Sequence, residues 1–99
     1  MIGIVKNGQA QLRQDSGVLI RNIGSNNAVS VSISNDEKMA LVCYKSGKVE
    51  LRQITGVLVR TIGNGHAVNA AFHGEDVLLE LENGKNELRR ITGTLIRTF

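Results

Sequence analysis

Apolar and polar residues alternate with a period of two along most of the chain. From Lys48 to Arg52 the sequence reads Lys-Val-Glu-Leu-Arg, so apolar side chains occupy every second position. A period of two is typical of β-strands, whereas an amphipathic helix repeats every 3.6 residues. Val, Ile and Thr number ten, nine and five, and such β-branched residues suit a pleated sheet. No segment shows an apolar helical stripe, so the pattern predicts an all-β protein.

Turn signals divide this pattern into eleven predicted strands. Asn-Gly and Ser-Gly dipeptides precede the alternating runs, and Thr-Gly or Ser-Gly dipeptides follow them. Turns of these types need a residue with positive φ, which glycine adopts without strain. The predicted structural turn glycines are Gly8, Gly17, Gly47, Gly56, Gly84 and Gly93. The predicted strands are 2–6, 9–14, 18–23, 28–34, 39–45, 48–54, 57–62, 67–73, 77–82, 85–91 and 94–99.

One segment of the sequence is repeated almost three times along the chain. Residues 46–63 have counterparts at 7–24 and 83–99, with a shift of 39 residues from Gly8 to Gly47 and of 37 from Gly47 to Gly84. A 99-residue chain has room for one compact domain. We therefore predict a single β-repeat domain, 1–99, made of a partial unit 1 (1–24, three strands), a full unit 2 (25–63, four strands) and a full unit 3 (64–99, four strands).

The repeated sequence resembles the blades of WD-repeat β-propellers. In unit 3, Gly65-His66 precedes the first strand, Asn83-Gly84 precedes the third, and Leu88-Arg89 is followed by Arg-Ile-Thr-Gly. The family has Gly-His, a glycine turn and Trp-Asp-x-x-Thr-Gly at these places. The Trp-Asp pair is replaced in every unit, so the family's buried Asp-His-Ser/Thr-Trp network cannot form. The resemblance implies a propeller-like fold of four-stranded antiparallel units and a protein-binding role.

Three units are too few to close a propeller ring, so we expect self-association. Apolar side chains would be exposed at both ends of the array: Ile2, Ile4 and Val5 at one end, and Leu95, Ile96 and Phe99 at the other. Two chains would give a ring of nearly six blades, within the usual four to eight, and closed symmetric association is the commonest solution. A homodimer is therefore favoured. A β-sandwich-type dimer, packed face to face, is the alternative architecture.

Arginines recur at two positions of the repeat. Arg13, Arg52 and Arg89 share one position, and Arg21, Arg60 and Arg97 share the other. Guanidinium groups suit phosphate oxygens, so Arg21, Arg13, Arg52 and Arg89 are candidate contacts for an anion or a partner. The structural alternative, which is favoured, pairs Arg60 and Arg97 with Glu50 and Glu87 on the adjoining strand. Gln11 replaces that carboxylate in unit 1, so Arg21 is expected to be the arginine freest for a ligand.

Charge and aromatic content argue only weakly for nucleic acid. The chain has 12 basic and 9 acidic residues, a net charge of +3. That balance is too mild to require a nucleic-acid partner. Single strands and RNA loops are usually held by stacking aromatics, and only Tyr44, Phe72 and Phe99 are aromatic here. Nucleic-acid or polyanion binding through the arginines remains the alternative function.

No residue set points to an enzyme, a metal or a cofactor. Six residues separate His66 and His73 around one strand, roughly 20 Å along it, and the two histidines form no zinc spacing with Cys43. Cys43 lies in an apolar strand without an identifiable base and orienting partner. Gly63-Asn64-Gly65 opens a strand and not a helix, so it does not form a phosphate cradle. We predict no catalytic, cofactor-binding or metal-binding residues. An enzyme site in the channel of an assembled ring is the alternative, and no set of residues supports it.

The remaining expectations concern location and role. The single cysteine excludes an intrachain disulfide and favours a reducing, cytoplasmic compartment. No apolar run approaches the roughly 18 residues of a membrane span, and the N-terminal residues lack a signal-peptide core, so no membrane association is expected. The sequence thus favours a non-enzymatic binding or assembly module that self-associates and presents a surface to a protein partner.

Overall fold

A computed structural model describes residues 1–99 and contains eleven strands and no helix. All eleven predicted strands are present, each within one residue of its expected bounds. They are β1 (Ile2–Lys6), β2 (Gln9–Arg13), β3 (Leu19–Ile23), β4 (Ala28–Ile33), β5 (Met39–Tyr44), β6 (Val49–Gln53), β7 (Leu58–Ile62), β8 (Ala67–His73), β9 (Asp76–Leu81), β10 (Asn86–Arg90) and β11 (Leu95–Thr98). The structure therefore holds no apolar helix of membrane-spanning length.

The strands form three separate antiparallel sheets in which chain neighbours are also sheet neighbours. Unit 1 forms the sheet β1-β2-β3, unit 2 the sheet β4-β5-β6-β7, and unit 3 the sheet β8-β9-β10-β11. Each sheet is a meander with short connections, as the alternating pattern and the frequent glycine turns require. The predicted all-β fold of antiparallel three- and four-stranded sheets is confirmed.

The three sheets pack face to face, and the hydrophobic core is divided between the two junctions. Between units 1 and 2 the buried residues are Ala10, Leu12, Ile23, Ala28, Ala40, Val42 and Tyr44. Between units 2 and 3 they are Leu41, Cys43, Val49, Leu51, Ile62, Ala67, Ala70, Val77 and Leu79. Unit 2 is consequently covered on both faces, and five of the six residues of β5 are buried.

The six predicted turn glycines all have positive φ, and Gly47 is the most constrained of them. Its φ is +94°, and a Cβ atom there would collide with the main-chain carbonyl of Gly65 at the start of unit 3. Gly84, the matching residue of unit 3, has φ +86° but open space around it. Positive φ is strained for residues with a side chain, so both positions favour glycine. Only at Gly47 does the packing of the next unit also require it.

A β-bulge recurs where the last strand of each unit pairs with the strand before it. In unit 2, Arg52 lies opposite Leu58 and Leu51 lies opposite Arg60, so Val59 has no partner. The same shift leaves Ile20 unpaired in unit 1 and Ile96 unpaired in unit 3. An extra residue of this kind moves every following side chain to the other face of its strand.

Because of the bulge, the arginines of the last strands do not pair with the glutamates as expected from the sequence. An unbulged ladder would place Arg60 opposite Glu50, as the sequence suggested. The observed register places Thr61 opposite Glu50 and Arg60 opposite Leu51. The corresponding expectation for Arg97 and Glu87 is also wrong, because Arg97 lies opposite Leu88. Both arginines therefore lie on the face of their sheet that is turned away from the glutamates.

Candidate interaction surface

The arginine after each bulge reaches from one unit to the next. Arg21 donates a hydrogen bond from Nη1 to the main-chain oxygen of Thr55, over 3.1 Å. Arg60 donates the matching bond to the main-chain oxygen of Thr92, also over 3.1 Å. Leu51 faces unit 3, and the bulge puts Arg60 on that same face, so the side chain lies where it can cross the junction. Each internal junction has one such bond.

A second hydrogen bond is also repeated at both junctions, between main-chain atoms. The amide of Ala28 donates to the carbonyl of Gly8 over 2.8 Å, and the amide of Ala67 donates to the carbonyl of Gly47 over 3.1 Å. The first strand of a four-stranded unit is thereby attached to the hairpin of the unit before it. The two junctions of the chain thus share these two polar contacts and an apolar core, and the junction between units 2 and 3 adds a bond from the amide of Phe72 to Ser32 Oγ over 3.2 Å.

The other arginine row is engaged within its own unit. Arg52 donates from Nε to Glu50 Oε1 over 2.9 Å and from Nη1 to the carbonyl of Gly56 over 2.7 Å. Arg89 makes the same two contacts, with Glu87 over 2.9 Å and with the carbonyl of Gly93 over 2.8 Å. These pairs connect alternate residues of one strand and hold the turn that follows.

Unit 1 repeats this arrangement with an amide in place of the carboxylate. Arg13 donates from Nη2 to Gln11 Oε1 over 2.8 Å and from Nη1 to the carbonyl of Gly17 over 2.6 Å. All four arginines singled out from the sequence as candidate ligand contacts, Arg13, Arg21, Arg52 and Arg89, therefore donate hydrogen bonds inside the protein. Their role toward an anion or a partner stays a prediction.

Unit 2 adds a buried network that the other units lack. Glu50 is only 2% exposed and accepts hydrogen bonds from Tyr44 Oη over 2.5 Å and from Arg52, while Lys48 Nζ lies 3.1 Å from its other oxygen. Burial alone would raise the pKa of Glu50, but these bonds outweigh burial and hold the pKa below its usual value. Burial, with the bond to Glu50, raises the pKa of Tyr44. Tyr44 Oη also accepts the amide of Ser25, so the network reaches into the connection between units 1 and 2.

A cavity of about 360 Å³ opens beside this network and is polar. Asn26 and Asn27 line it from the connection between units, and Lys45 and Lys48 line it from the β5–β6 hairpin. A second cavity of about 610 Å³ lies between the β4–β5 and β8–β9 turns. Neither cavity brings a nucleophile, a base and an orienting partner together.

The cysteine and the histidines of the chain lie apart. Cys43 is buried in the core between units 2 and 3, and burial raises the pKa of its thiol. His66 is exposed, with Nδ1 3.3 Å from Glu82, and His73 is exposed at the end of β8. No group of three or more His, Cys, Asp or Glu side chains gathers in a way that could hold a metal ion.

The packing of antiparallel meanders side by side matches that of solved propellers. The crystal structure of BamB from Moraxella catarrhalis superposes with a TM-score of 0.76 at 14% sequence identity, over 98% of this chain and 31% of that one. The WD40 β-propeller domain of Doa1 superposes with a TM-score of 0.74 at 20% identity, over 92% of this chain and 33% of that one. The three units are WD-repeat-like propeller blades. The chain spans about a third of the length of each of these propellers.

The likeness to propellers is not detected at the level of sequence. No protein-family model matches the chain. No curated protein matches it either. The likeness to propellers is thus one of fold, and the resemblance seen in the glycine turns and the repeat length is confirmed by the structure.

In a propeller each blade packs against two neighbours, and here one face of unit 3 has no blade against it. We call this the trailing face of unit 3; it carries Leu78, Leu88 and Phe99. Leu41, Leu51 and Ile62 occupy these positions in unit 2 and are buried against unit 3. The contrast is largest at the last position, where Ile62 is 2% exposed and Phe99 is 62% exposed.

One face of unit 1 is likewise without a blade against it. We call it the leading face of unit 1, and it carries Ile2 and Ile4, which lie opposite Arg13 and Gln11. In unit 2 the residues opposite Arg52 and Glu50 are Ala40 and Val42, both fully buried against unit 1. Ile2 is 39% exposed. The two uncovered faces therefore correspond to the two sides of the internal junctions, except that unit 1 has no strand matching β4 and β8, which supply Ala28, Ala67 and Ala70 to the internal cores.

The sequence indicated part of the apolar surface of these faces but not their polar partners. Ile2, Ile4 and Phe99 were expected to be exposed, and they are exposed or half-buried. Val5, also expected to be exposed, packs instead against the core between units 1 and 2, and Leu78 and Leu88 of the trailing face were not anticipated. The reach of Arg21 and Arg60 across the junction was missed, because it depends on the bulge. The equal spacing from each arginine to the turn glycine before it, four residues in every unit, is the only trace of that geometry in the sequence.

Proposed function

We propose that the chain is a non-enzymatic assembly module that completes a propeller ring by self-association and presents that ring to a protein partner. The observation that carries the proposal is the pair of uncovered faces on units 1 and 3. Apolar surface of this kind on a small domain favours association, since the chain alone buries a limited core. A head-to-tail arrangement covers the trailing face of one copy with the leading face of another.

A homodimer is the expected assembly. Two copies supply six blades, four with four strands and two with three, which is within the usual range of propeller rings. A closed ring also satisfies both uncovered faces of each copy at once, whereas an open head-to-tail chain would always leave two faces exposed.

The protein partner is proposed from the fold. Propellers present loops on both faces of the ring, and loops positioned by a rigid scaffold are common binding surfaces. The described cavities bring together no nucleophile, base and orienting partner, which supports a binding role over an enzymatic one. The buried, unpaired Cys43 is compatible with the cytoplasmic location that we propose.

A mass measurement in solution tests the assembly. The chain has a mass of 10.7 kDa, so light scattering after gel filtration should give about twice that value at micromolar concentration. Dilution should reduce the mass toward that of one chain. A monomer that persists at micromolar concentration and unfolds cooperatively would contradict the proposal, because both uncovered faces would then be tolerated in water.

A further inference from the structure

We propose that Arg97 of one copy donates a hydrogen bond to the main-chain carbonyl of Ser16 in a second copy, and that this contact sets the register of a head-to-tail junction between the trailing face of unit 3 and the leading face of unit 1. The inference rests on the proposed self-association. It goes further by naming the two faces that meet, the donor and acceptor atoms, and the order in which the copies follow each other.

The first support comes from the repeated arginine. Arg21 reaches the carbonyl of Thr55, and Arg60 reaches the carbonyl of Thr92. Arg97 is the third member of this row; it follows the same bulge, is exposed, and has no hydrogen-bond partner within the chain. Its guanidinium group is the one member of the row without an acceptor.

The main-chain carbonyls that accept from these arginines also form a repeated series, and one member of that series has no donor. Thr55 and Thr92 directly precede the turn glycines Gly56 and Gly93, and Ser16 directly precedes Gly17 in unit 1. The carbonyl of Ser16 accepts no main-chain or side-chain hydrogen bond within the chain. One donor on unit 3 and one acceptor on unit 1 are thus left over from a series that is otherwise complete.

The apolar surfaces support the same junction. At the internal junction, Leu41 and Leu51 of unit 2 pack with Val77 and Leu79 of unit 3. The matching residues at the proposed junction are Leu78 and Leu88 on the trailing face and Ile2 and Ile4 on the leading face. All four are aliphatic, so the faces that would meet offer apolar side chains to each other at these positions, although Ala67 and Ala70 of β8 at the internal junction have no counterpart in the three-stranded unit 1.

Charge favours a copy of this chain as the occupant of the trailing face. Asp15 precedes Ser16 and is exposed, whereas isoleucine stands at the same position in the other two units, as Ile54 and Ile91. An arginine directed at Ser16 would therefore lie near a carboxylate that neither internal junction has, and that pairs within its own chain with the N-terminal amine of Met1 over 2.8 Å. Charge-assisted contacts of this kind add to the hydrogen bond and to specificity.

Connectivity within one chain forbids the contact. Unit 2 separates unit 1 from unit 3, and it is buried between them on both faces. Within residues 1–99 the trailing face of unit 3 therefore cannot meet the leading face of unit 1, and the proposed junction joins two copies. The surfaces differ from each other, so the junction is heterologous, and a two-fold ring uses it twice.

The decisive variant is Arg97→Glu, with two matched controls. Reversing this charge should raise the dimer dissociation constant about tenfold or more while the far-UV circular dichroism stays that of the folded chain. Arg60→Glu removes an internal bond of the same geometry, so it should lower stability while leaving the dissociation constant within about twofold once the folded fraction is accounted for. Lys45→Glu makes the same charge change on an exposed hairpin and should leave the dissociation constant within about twofold. A dimer unaffected by Arg97→Glu would overturn the junction.

Cross-linking supplies a readout that does not depend on a variant's stability. The photoreactive residue p-benzoylphenylalanine replaces Phe99, and the chain is mixed with an equal amount of isotopically heavy chain, so that intermolecular links carry a mixed mass. Links from position 99 to the segment 1–13 of the other copy are expected. Links to unit 3 of the other copy would show a face-to-face dimer and overturn the junction.

The outcomes separate the two proposals. A wild-type chain that is monomeric throughout would overturn both the self-association and the junction. Two results would overturn only the Arg97–Ser16 junction and still support self-association. One is a stable dimer whose cross-links join unit 3 to unit 3, and the other is a stable dimer whose dissociation constant does not change in Arg97→Glu. Weakening by Arg97→Glu together with links from unit 3 to unit 1 supports both.

Discussion

Arg60 and Thr92 lie 32 residues apart in sequence and are joined across a blade junction by one hydrogen bond of 3.1 Å. The bond exists because Val59 is unpaired in the ladder between β6 and β7. Without that bulge, Arg60 would point to the opposite face of the sheet, toward Glu50. A single unpaired residue thereby decides whether an arginine connects two strands of one blade or two neighbouring blades.

Replacing Arg60 by glutamine should lower the free energy of unfolding by about 0.5–1.5 kcal/mol, because an exposed hydrogen bond between units 2 and 3 is lost. Urea denaturation monitored by circular dichroism measures this change. Arg97→Gln is the matched control, because Arg97 has the same place in the repeat but no partner within the chain. At concentrations where the chain is monomeric, it should leave the free energy of unfolding within about 0.5 kcal/mol of wild type. Equal losses for both variants would mean that the Arg60–Thr92 bond contributes nothing specific.

Alanine in place of Gly47 should be more destabilising than alanine in place of Gly84, by about 1 kcal/mol or more. Both glycines have positive φ, so both variants carry backbone strain. Only the Cβ at position 47 also collides with the main chain of Gly65, which begins the next unit. Thermal or urea unfolding of the two variants gives the difference. If Gly84→Ala were the worse variant, the close approach of the two units at Gly47 would be refuted.

Stability should depend on the charge of Glu50 at acid pH. Its pKa in the folded chain is below the unfolded value of about 4.3, so its ionised form favours the folded state. That contribution is complete above the unfolded value and is lost as the pH falls through the lower, folded pKa. The stability difference between wild type and Glu50→Gln, measured in urea between pH 7 and pH 3, should therefore shrink toward the acid end. Glu75→Gln, at an exposed turn position, is the control for removing one negative charge.

Tyr44→Phe should lower the free energy of unfolding by about 1–3 kcal/mol, because the buried Glu50 loses one of its hydrogen bonds and the amide of Ser25 is left without a partner. The hydroxyl of Tyr44 donates to the buried Glu50 and accepts the amide of Ser25. Differential scanning calorimetry or urea unfolding measures the loss. In Glu50→Gln the effect of Tyr44→Phe should be smaller, and a double-mutant cycle checks this coupling. Strict additivity of the two changes would contradict a shared network.

The strands, the repeat and the glycine turns were predictable because they depend on local properties. Alternation places each strand, and Gly47 and Gly84 mark turns that require positive φ. The bulges were not predictable, since the run Val57-Leu58-Val59 is apolar throughout and does not reveal which residue will lack a partner. The register of Arg60 and Arg97 was wrong for that reason.

The Tyr44 network was not predictable from the repeat either. Leu81 stands at the position of Tyr44 in unit 3, and Lys6 faces the same side in unit 1, so no repeated signal marks a hydroxyl there. Its acceptor, Glu50, looked like one of two equivalent surface carboxylates. Burial of Glu50 results from the packing of units 1 and 2, which only the three-dimensional structure shows.

Strand β5 is covered by a unit on each side, while units 1 and 3 each have a face in water. In arrays of this kind each unit depends on its nearest neighbours, so opening begins where a neighbour is lacking. We expect the amide protons of Leu41 and Cys43 to exchange with deuterium more slowly than any others, and those of β1 and β11 to exchange early. The middle blade would then persist as the last ordered part of the chain, with its two neighbours fraying on either side of it.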